Sequence, residues 1–215
     1  MVGGKYMEIR EIINREKEYI INLRRYFHAH PEPSLKEFNT ANRIEKELDI
    51  LGIPYERVGE TGVAAYIGGL NPGKTLALRA DIDALEIQEL NEIDYASVNK
   101  GLMHACGHDA HTASLMGAAK ILKEKEDKIQ GKIKLFFQQA EEIGQGARQF
   151  IALGHLKDVD NILGFHVSTD LDIGKIAVSP GPIAASCDYF KAIIKGKSGH
   201  ISKPQTGIDA LYIAC

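Results

Sequence analysis

The sequence is poor in cysteine, and this shortage excludes two kinds of small stabilised domain. Its three cysteines, Cys106, Cys187 and Cys215, are widely spaced and form no Cys-x-x-Cys pair. Neither a disulfide framework nor a zinc site made of cysteines alone fits that pattern. Sparse, unpaired cysteine is typical of a reducing compartment, so we expect the protein to be cytoplasmic.

The sequence also lacks a basic excess and any long apolar run. Its 26 lysines and arginines face 29 acidic residues, for a net charge of -3. Proteins that bind nucleic acid carry a basic surplus, so we expect no nucleic-acid partner. The N-terminus has no apolar core of signal-peptide length, and no later segment is long enough to cross a bilayer. We therefore expect no membrane partner either.

Of the 215 residues, 44% are hydrophobic, which is typical of a globular protein. Along the chain, segments with the apolar spacing of a helix alternate with segments that have the spacing of a strand. These spacings predict helices near residues 7–28, 38–51, 112–122 and 146–153, and strands near 63–67, 75–79, 132–137 and 162–167. Ser34 followed by Glu37 predicts a capping box at the second helix. The alternation predicts an α/β fold in which helices flank a mixed, largely parallel sheet.

Four short segments place polar side chains directly after apolar strands or in a glycine-containing loop. They are Leu78–Asp83, His104–Asp109, Gln138–Glu142 and Gly164–His166. Ligands of open α/β sheets bind at the carboxyl ends of the strands, so these segments predict one shared site.

Each segment alone has a commoner explanation. Strand-end aspartates often cap helices, a lone cysteine is usually a small buried thiol, adjacent glutamates often open a helix, and a single histidine is usually structural. Together the segments favour a metal site, because cysteine, histidine and carboxylate ligands suit zinc, manganese or cobalt. Cys106 and His108 can turn to one ion or straddle two, since Gly107 lets the backbone bend tightly. Of the adjacent Glu141 and Glu142, one can bind metal while the other takes a proton from activated water.

Five runs of the sequence together resemble one family. They are Arg25–Ser34, Arg79–Leu85, Met103–His111, Ala140–Glu142 and Gly164–His166. In order they are similar to the amidohydrolase group of the aminoacylase/carboxypeptidase-like metallopeptidases, which includes hippurate hydrolases, N-acyl-amino-acid amidohydrolases and auxin-conjugate hydrolases. The resemblance implies a zinc-peptidase-like fold and hydrolysis of the amide bond of a small N-acyl amino acid or peptide-like conjugate. It also implies two divalent metal ions (Zn, Mn or Co) as cofactors.

The resemblance implies roles for individual residues. The implied metal ligands are Cys106, His108, Glu142 and His166. Glu141 would be the general base, and His200 a lid histidine that holds the carbonyl oxygen or carboxylate of the substrate. Asp83 resembles the acid that orients a ligand. Asp81 stands where related peptidases place a ligand histidine, and we group it with Asp83 as a supporting acid.

The resemblance also implies a domain organisation in which a smaller lid, through which subunits pair, is inserted into the catalytic domain. Residues 1–182 would form the N-terminal part of the metal-binding catalytic domain. Residues 183–215 would start an α+β lid and dimerisation domain, entered after Pro180–Pro182 and through an alternating strand over 188–194. Because the family continues well beyond this length, we expect the 215 residues to be a fragment. The full-length protein is expected to be a homodimer.

Other functions remain open at this stage. Cys106 could be a nucleophile with His104 or His108 as its base, although this leaves the two glutamates and the strand-end histidine unexplained. A zinc nucleobase deaminase fits less well, since no Pro-Cys-x-x-Cys follows the histidine. From a different class, the chain could be a catalytically inactive metal-binding fragment or an interaction module.

Overall fold

The structure, a computed structural model, describes residues 2–183, 186 and 190–215, with side chains from residue 9 onward. The chain forms two compact units, Met1–Thr169 and Asp170–Cys215. The predicted domain boundary after residue 182 falls inside the second unit, and the division into 1–182 and 183–215 stays a prediction. Across the described ranges, no helix combines the length and the apolarity needed to cross a membrane.

The first unit is built on a mixed sheet with helices on both faces. Its strands are β1 (Tyr55–Val58), β2 (Gly62–Gly68), β3 (Thr75–Asp81), β4 (Lys132–Gln138) and β5 (Asn161–Gly164). Its helices are α1 (Val2–Ala29), α2 (Phe38–Leu51), α3 (His108–Glu124) and α4 (Gly146–Ala152).

The order of the strands is β1-β2-β4-β3-β5. Strand β3 pairs in parallel with β4 and β5, whereas β2 runs antiparallel to both of its neighbours. Every strand of the described sheet except β2 therefore runs in the same direction. This confirms the α/β fold with a mixed, largely parallel sheet.

The core lies on both faces of this sheet. Side chains of a strand alternate between the faces, so Leu135 and Phe137 of β4 pack in one cluster and Phe136 in another. The larger cluster includes residues of α1, α2 and α3, and the smaller one includes Phe150 of α4. Because β4 is covered on both faces, its carboxyl end is held firmly in place.

The predicted helices and strands of this unit are present, but three local details differ. Helix α3 begins four residues earlier than predicted, because Gly107 at φ 86° turns the chain directly into the helix. This start places His108 and His111 on one face of the first turn. The predicted capping box is wrong, since the Glu37 side chain makes no cap hydrogen bond to α2. Strand β5 ends at Gly164 rather than at residue 167.

The described part of the second unit contains only short elements. A bridge joins Lys197 and Ile208 through backbone hydrogen bonds of 3.0 and 2.9 Å, and helix α5 spans Ala210–Ala214. Asp209 caps α5 by accepting from two backbone amides of its first turn. The predicted strand over 188–194 begins outside the described residues, and its described residues, 190–194, form no strand.

Candidate metal centre

Chain segments that are distant in the sequence meet at the carboxyl edge of the parallel strands. Asp81 ends β3, the two adjacent glutamates follow β4, and His166 follows β5. Helix α3, which connects β3 to β4, begins at His108. Since β4, β3 and β5 are neighbours and run in parallel, their ends lie side by side. The structure therefore brings together the residues in which the sequence predicts a shared site.

His108 is the most enclosed of these residues, at 0% exposure. Its Nδ1 lies 3.2 Å from Oδ1 of Asp83, whereas its Nε2 has no hydrogen-bond partner among the described residues. Nε2 lies 3.7 Å from Oδ2 of Asp81, 3.7 Å from Oε1 of Glu142 and 4.0 Å from Oε2 of Glu141. A buried, unpartnered nitrogen facing three carboxylates is unfavourable by itself, and a cation between them would satisfy both.

Cys106 and His166 extend this group of donor atoms. The Cys106 Sγ lies 3.3 Å from Nε2 of His166, and one donor atom each of Cys106, His108 and His166 lie within 4.8 Å of one another. Donor atoms of His108, Glu141 and Glu142 form a second group of the same compactness. Thiol, imidazole and carboxylate donors in this combination fit divalent ions such as zinc, manganese or cobalt.

The thiol of Cys106 lies in an environment that disfavours its ionised form. Burial, together with the nearby carboxylates of Glu142 and Glu141, raises its pKa to about 12. The thiol is therefore neutral at pH 7, and a neighbouring metal ion would hold it as the thiolate. Reactive cysteines need a lowered pKa, so this environment disfavours the cysteine-nucleophile hypothesis.

The bases suggested for such a nucleophile are also badly placed. His108 uses Nδ1 for its contact with Asp83. His104 is buried, neither of its ring nitrogens has a partner in the described part of the chain, and burial lowers its pKa to about 4. The ring that does contact Cys106 belongs to His166.

The two adjacent glutamates differ in their surroundings. The Glu141 side chain is 40% exposed, and that of Glu142 is 22% exposed. Partial burial and the negative charge of Asp81 raise the pKa of Glu141, which moves it toward the range of a base that works near neutral pH. The backbone amide of Glu142 is held at 3.1 Å by Oδ2 of Asp83. One carboxylate thus reaches solvent while the other turns inward.

The two predicted supporting acids each hold a histidine. Asp83 contacts His108 through Oδ1, and its Oδ2 also accepts from the Ser34 hydroxyl at 2.6 Å. Asp81 lies 2.5 Å from Nδ1 of His111. Burial would raise the pKa of Asp81, but the His111 hydrogen bond and the Arg79 guanidinium lower it to about 2. Both acids therefore remain ionised at neutral pH.

Sequence reasoning missed the contribution of the segment before α2. Glu37 is fully buried and accepts from the backbone amide of Ala140 at 2.8 Å and from the Thr61 hydroxyl at 2.7 Å. Ala140 has a φ of 50°, an uncommon value for a residue other than glycine, and it immediately precedes Glu141. The turn that carries the glutamates is thus held by a carboxylate 103 residues away, and no local pattern signals such a contact.

His200 belongs to the second unit and is described within that unit alone. Its Nδ1 lies 2.8 Å from the Ser202 hydroxyl, and the backbone amide of Ser202 donates to the same nitrogen at 3.2 Å. An amide N–H can only donate, so Nδ1 is an acceptor and Nε2 carries the ring proton.

A sequence model of one family, Peptidase family M20/M25/M40, matches residues 77–209, which is more than half of the chain. The chain belongs to this peptidase family. Membership confirms the resemblance to the aminoacylase/carboxypeptidase-like metallopeptidases. The matched residues include both acids at the end of β3, the loop of Cys106 and His108, the two glutamates, and His166.

Relatives of known name support this assignment. The N-acetyl-L-cysteine deacetylase of Bacillus subtilis is 45% identical over 196 residues, covering 91% of this chain and 47% of that protein. The N-acyl-L-amino acid amidohydrolase of Geobacillus stearothermophilus is 43% identical over 208 residues, covering 96% of this chain and 56% of that protein. The crystal structure of the Bacillus subtilis YXEP protein, a dinuclear metal-binding peptidase of the M20 family, has a TM-score of 0.74 at 42% identity. That match covers 80% of this chain and 48% of YXEP. The chain thus spans about half the length of these relatives.

Proposed function

We propose that the chain carries the metal ligands and the general base of an amidohydrolase that cleaves N-acyl amino acids or small peptide-like conjugates. The observation that carries this proposal is the buried Nε2 of His108, which faces carboxylates and has no other partner within the described residues. Family membership supports the reaction class, and the names of the deacetylase and amidohydrolase relatives support the substrate class.

In this proposal four residues bind two divalent ions. They are Cys106, His108, Glu142 and His166. The dinuclear YXEP protein supports the number of ions, and the mixed donor set suits zinc, manganese or cobalt. When bound, the ions would polarise the amide carbonyl and make water acidic enough to attack at neutral pH.

Glu141 then moves the protons of the reaction. It takes one proton from the attacking water as the new bond between oxygen and the carbonyl carbon forms. It returns that proton to the amine nitrogen as the carbon–nitrogen bond breaks. Its raised pKa and its partly exposed side chain suit both steps, because an efficient base has a pKa near the working pH.

His200 is the proposed contact to the carbonyl oxygen or the carboxylate of the substrate. The Ser202 amide that donates to its Nδ1 leaves Nε2 as an N–H donor, and an N–H donor is what an oxyanion requires.

We further propose that the protein is cytoplasmic and that the full-length protein pairs as a homodimer through the lid domain. Light scattering on the purified protein tests the pairing.

The experiment is an assay of amine release from a panel of N-acetyl amino acids, after chelation and after zinc, manganese or cobalt is returned. Hydrolysis should disappear with chelation and recover with metal. Glu141→Gln should lower turnover on the order of 10²–10⁴-fold with its metal retained. The adjacent Glu142→Gln is the matched variant, and it should lose metal.

Near-full turnover by metal-loaded Glu141→Gln would show that Glu141 is not the base. A protein that holds metal but hydrolyses no member of the panel would favour the inactive metal-binding module instead.

A further inference from the structure

His111 makes more contacts around the candidate centre than its sequence position suggests. It is fully buried and lies one helical turn after His108. Its ring packs edge-on against the rings of Phe165 at 5.2 Å and His166 at 4.6 Å. The backbone amide of Val167 donates to its Nε2 at 3.0 Å. Three consecutive residues after β5 therefore contact the His111 ring.

These contacts determine which nitrogen of His111 carries the proton. A backbone amide can only donate, so Nε2 must be the unprotonated acceptor. The proton is then on Nδ1, which donates to Oδ1 of Asp81 at 2.5 Å. Asp81 is in turn held by an ion pair with Arg79 at 2.8 Å. Each donor in this series faces an acceptor.

This pattern decides against His111 as a metal ligand. One donor atom each of Asp81, His108 and His111 lie within 4.8 Å of one another, which by distance alone suggests a third ligand group. Both ring nitrogens of His111 are already engaged, one as donor and one as acceptor, and neither has a lone pair left for an ion.

The backbone of Val167 connects His111 to His166 through two hydrogen bonds. Its amide is held by His111, and its carbonyl oxygen lies 2.6 Å from Nδ1 of His166. A carbonyl can only accept, so Nδ1 of His166 carries the proton and its Nε2 lone pair faces Cys106. A backbone carbonyl that orients the distal nitrogen of a histidine is a common support of metal ligands.

The Val167 side chain lies close to the loop of Cys106. A Cβ placed on Gly107 would lie only 2.4 Å from Cγ2 of Val167, so the side chain fits there because residue 107 is glycine. Val167 thus contacts the His111 ring through its backbone amide and lies against the Gly107 turn through its side chain.

We infer that Asp81 and His111 form a positioning pair that acts through Val167 to aim His166, and that His111 binds no metal. The inference rests on the proposed function, because His166 is a ligand only under that proposal. The positioning contacts themselves involve residues of this chain alone, and they can be measured in the metal-free protein.

The first test is the protonation state of His111 in the metal-free protein labelled with ¹⁵N-histidine, read from long-range ¹H–¹⁵N correlations at neutral pH. The signal is assigned by its loss in His111→Gln. The expected result is a proton on Nδ1 and none on Nε2, and no ligand-like shift of this ring when zinc is added. A proton on Nε2, or a zinc-induced shift of the His111 nitrogens like that of a ligand, would overturn the inference.

The second test is hydrogen exchange at the Val167 amide. His111→Leu should accelerate it on the order of ten-fold or more, since its acceptor is lost. His111→Gln should restore much of the protection, because its side-chain oxygen can accept. His155→Leu is the matched control, because the ring of His155 packs on Phe136 and Phe150 instead.

Unchanged exchange in a folded His111→Leu variant would overturn the inference. Because the position of the His111 proton and the exchange of the Val167 amide are both read in metal-free protein, a failure to bind metal would count against the proposed function and not against the positioning pair.

Discussion

The candidate centre has one half built from regular structure and another carried by short segments. His108 begins α3, Asp81 ends β3 and Asp83 follows two residues later, and each is at most 1% exposed. Glu141 and His166 lie after strand ends, the former with a side chain that is 40% exposed. Under the proposed function, the buried half would determine where a cation binds, and the accessible half would remain within reach of water and substrate.

The accessible half is nevertheless held in place, by side chains from elsewhere in the chain. Glu37 holds the amide of Ala140, and Asp83 holds the amide of Glu142. Hydrogen bonds to buried carboxyl groups thus order these segments, as backbone hydrogen bonds order helices and strands. The difference between the halves is therefore one of accessibility, while both are ordered by buried hydrogen bonds.

The largest effect is expected from Asp83→Ala, because Asp83 contacts both halves. The change removes the partner of His108 Nδ1 and the acceptor for the Glu142 amide. Loss of such supports typically weakens metal binding about 10–100-fold. The measurement is a cobalt titration in competition with a chelator. Asp83→Asn, which keeps one oxygen acceptor, should fall in between, and an unchanged affinity in Asp83→Ala would contradict the account.

A smaller effect is expected from Glu37, which supports only the accessible half. Glu37→Leu leaves the buried amide of Ala140 unpaired, and we expect a loss of about 1–3 kcal/mol in the free energy of unfolding. Glu37→Gln should lose less, since its oxygen can accept from that amide and its nitrogen can donate to the Thr61 hydroxyl. Urea unfolding of both variants provides the measurement, and equal losses would show that the hydrogen bonds are unimportant.

The difference in stability between wild type and Glu37→Gln should also depend on pH, in a direction that the pKa of Glu37 determines. Burial raises the pKa of Glu37, so the folded state favours the neutral acid. As the pH rises above the ordinary carboxyl pKa of about 4.3, ionisation destabilises the wild-type fold and leaves Glu37→Gln unaffected. The stability advantage of wild type over Glu37→Gln should therefore shrink from acidic to neutral pH, and an advantage that grows would contradict this.

The smallest effect is expected where α3 is attached to α1. Glu16 is buried and pairs with Lys120 of α3 at 2.6 Å, and this contact and that of Arg15 lower the pKa of Glu16. A lowered carboxyl pKa stabilises the fold above the ordinary value and loses that effect as the pH falls through the folded-state value. Glu16→Gln should thus cost about 1 kcal/mol or less at pH 7, and the loss should disappear at low pH. A pH-independent loss in thermal unfolding would argue against the ion pair.

The parts of the structure that sequence predicts well are those with a repeating apolar pattern. The spacing of apolar residues places the strands that end beside Asp81, Glu141 and His166, and parallel strands necessarily bring such ends to one edge. The convergence of the candidate site was therefore predictable from the order of the motifs.

The supports of the site were not predictable, because their partners are distant in the sequence. Ser34 and Glu37 have the spacing of a capping box, yet they bond to residues 49 and 103 positions away. A local pattern cannot distinguish a cap from a tertiary contact made by the same oxygen atoms. His111 was visible only as part of a histidine cluster, and its role depends on the backbone of Val167, which only the folded chain brings near.

The most direct test of the central claim is the metal content of the purified chain before and after chelation, measured beside Cys106→Ala. The account predicts about two divalent ions per wild-type chain, lost on chelation and regained on metal addition, and fewer in the variant. A folded wild-type chain that holds no metal, or no more than Cys106→Ala holds, would contradict it.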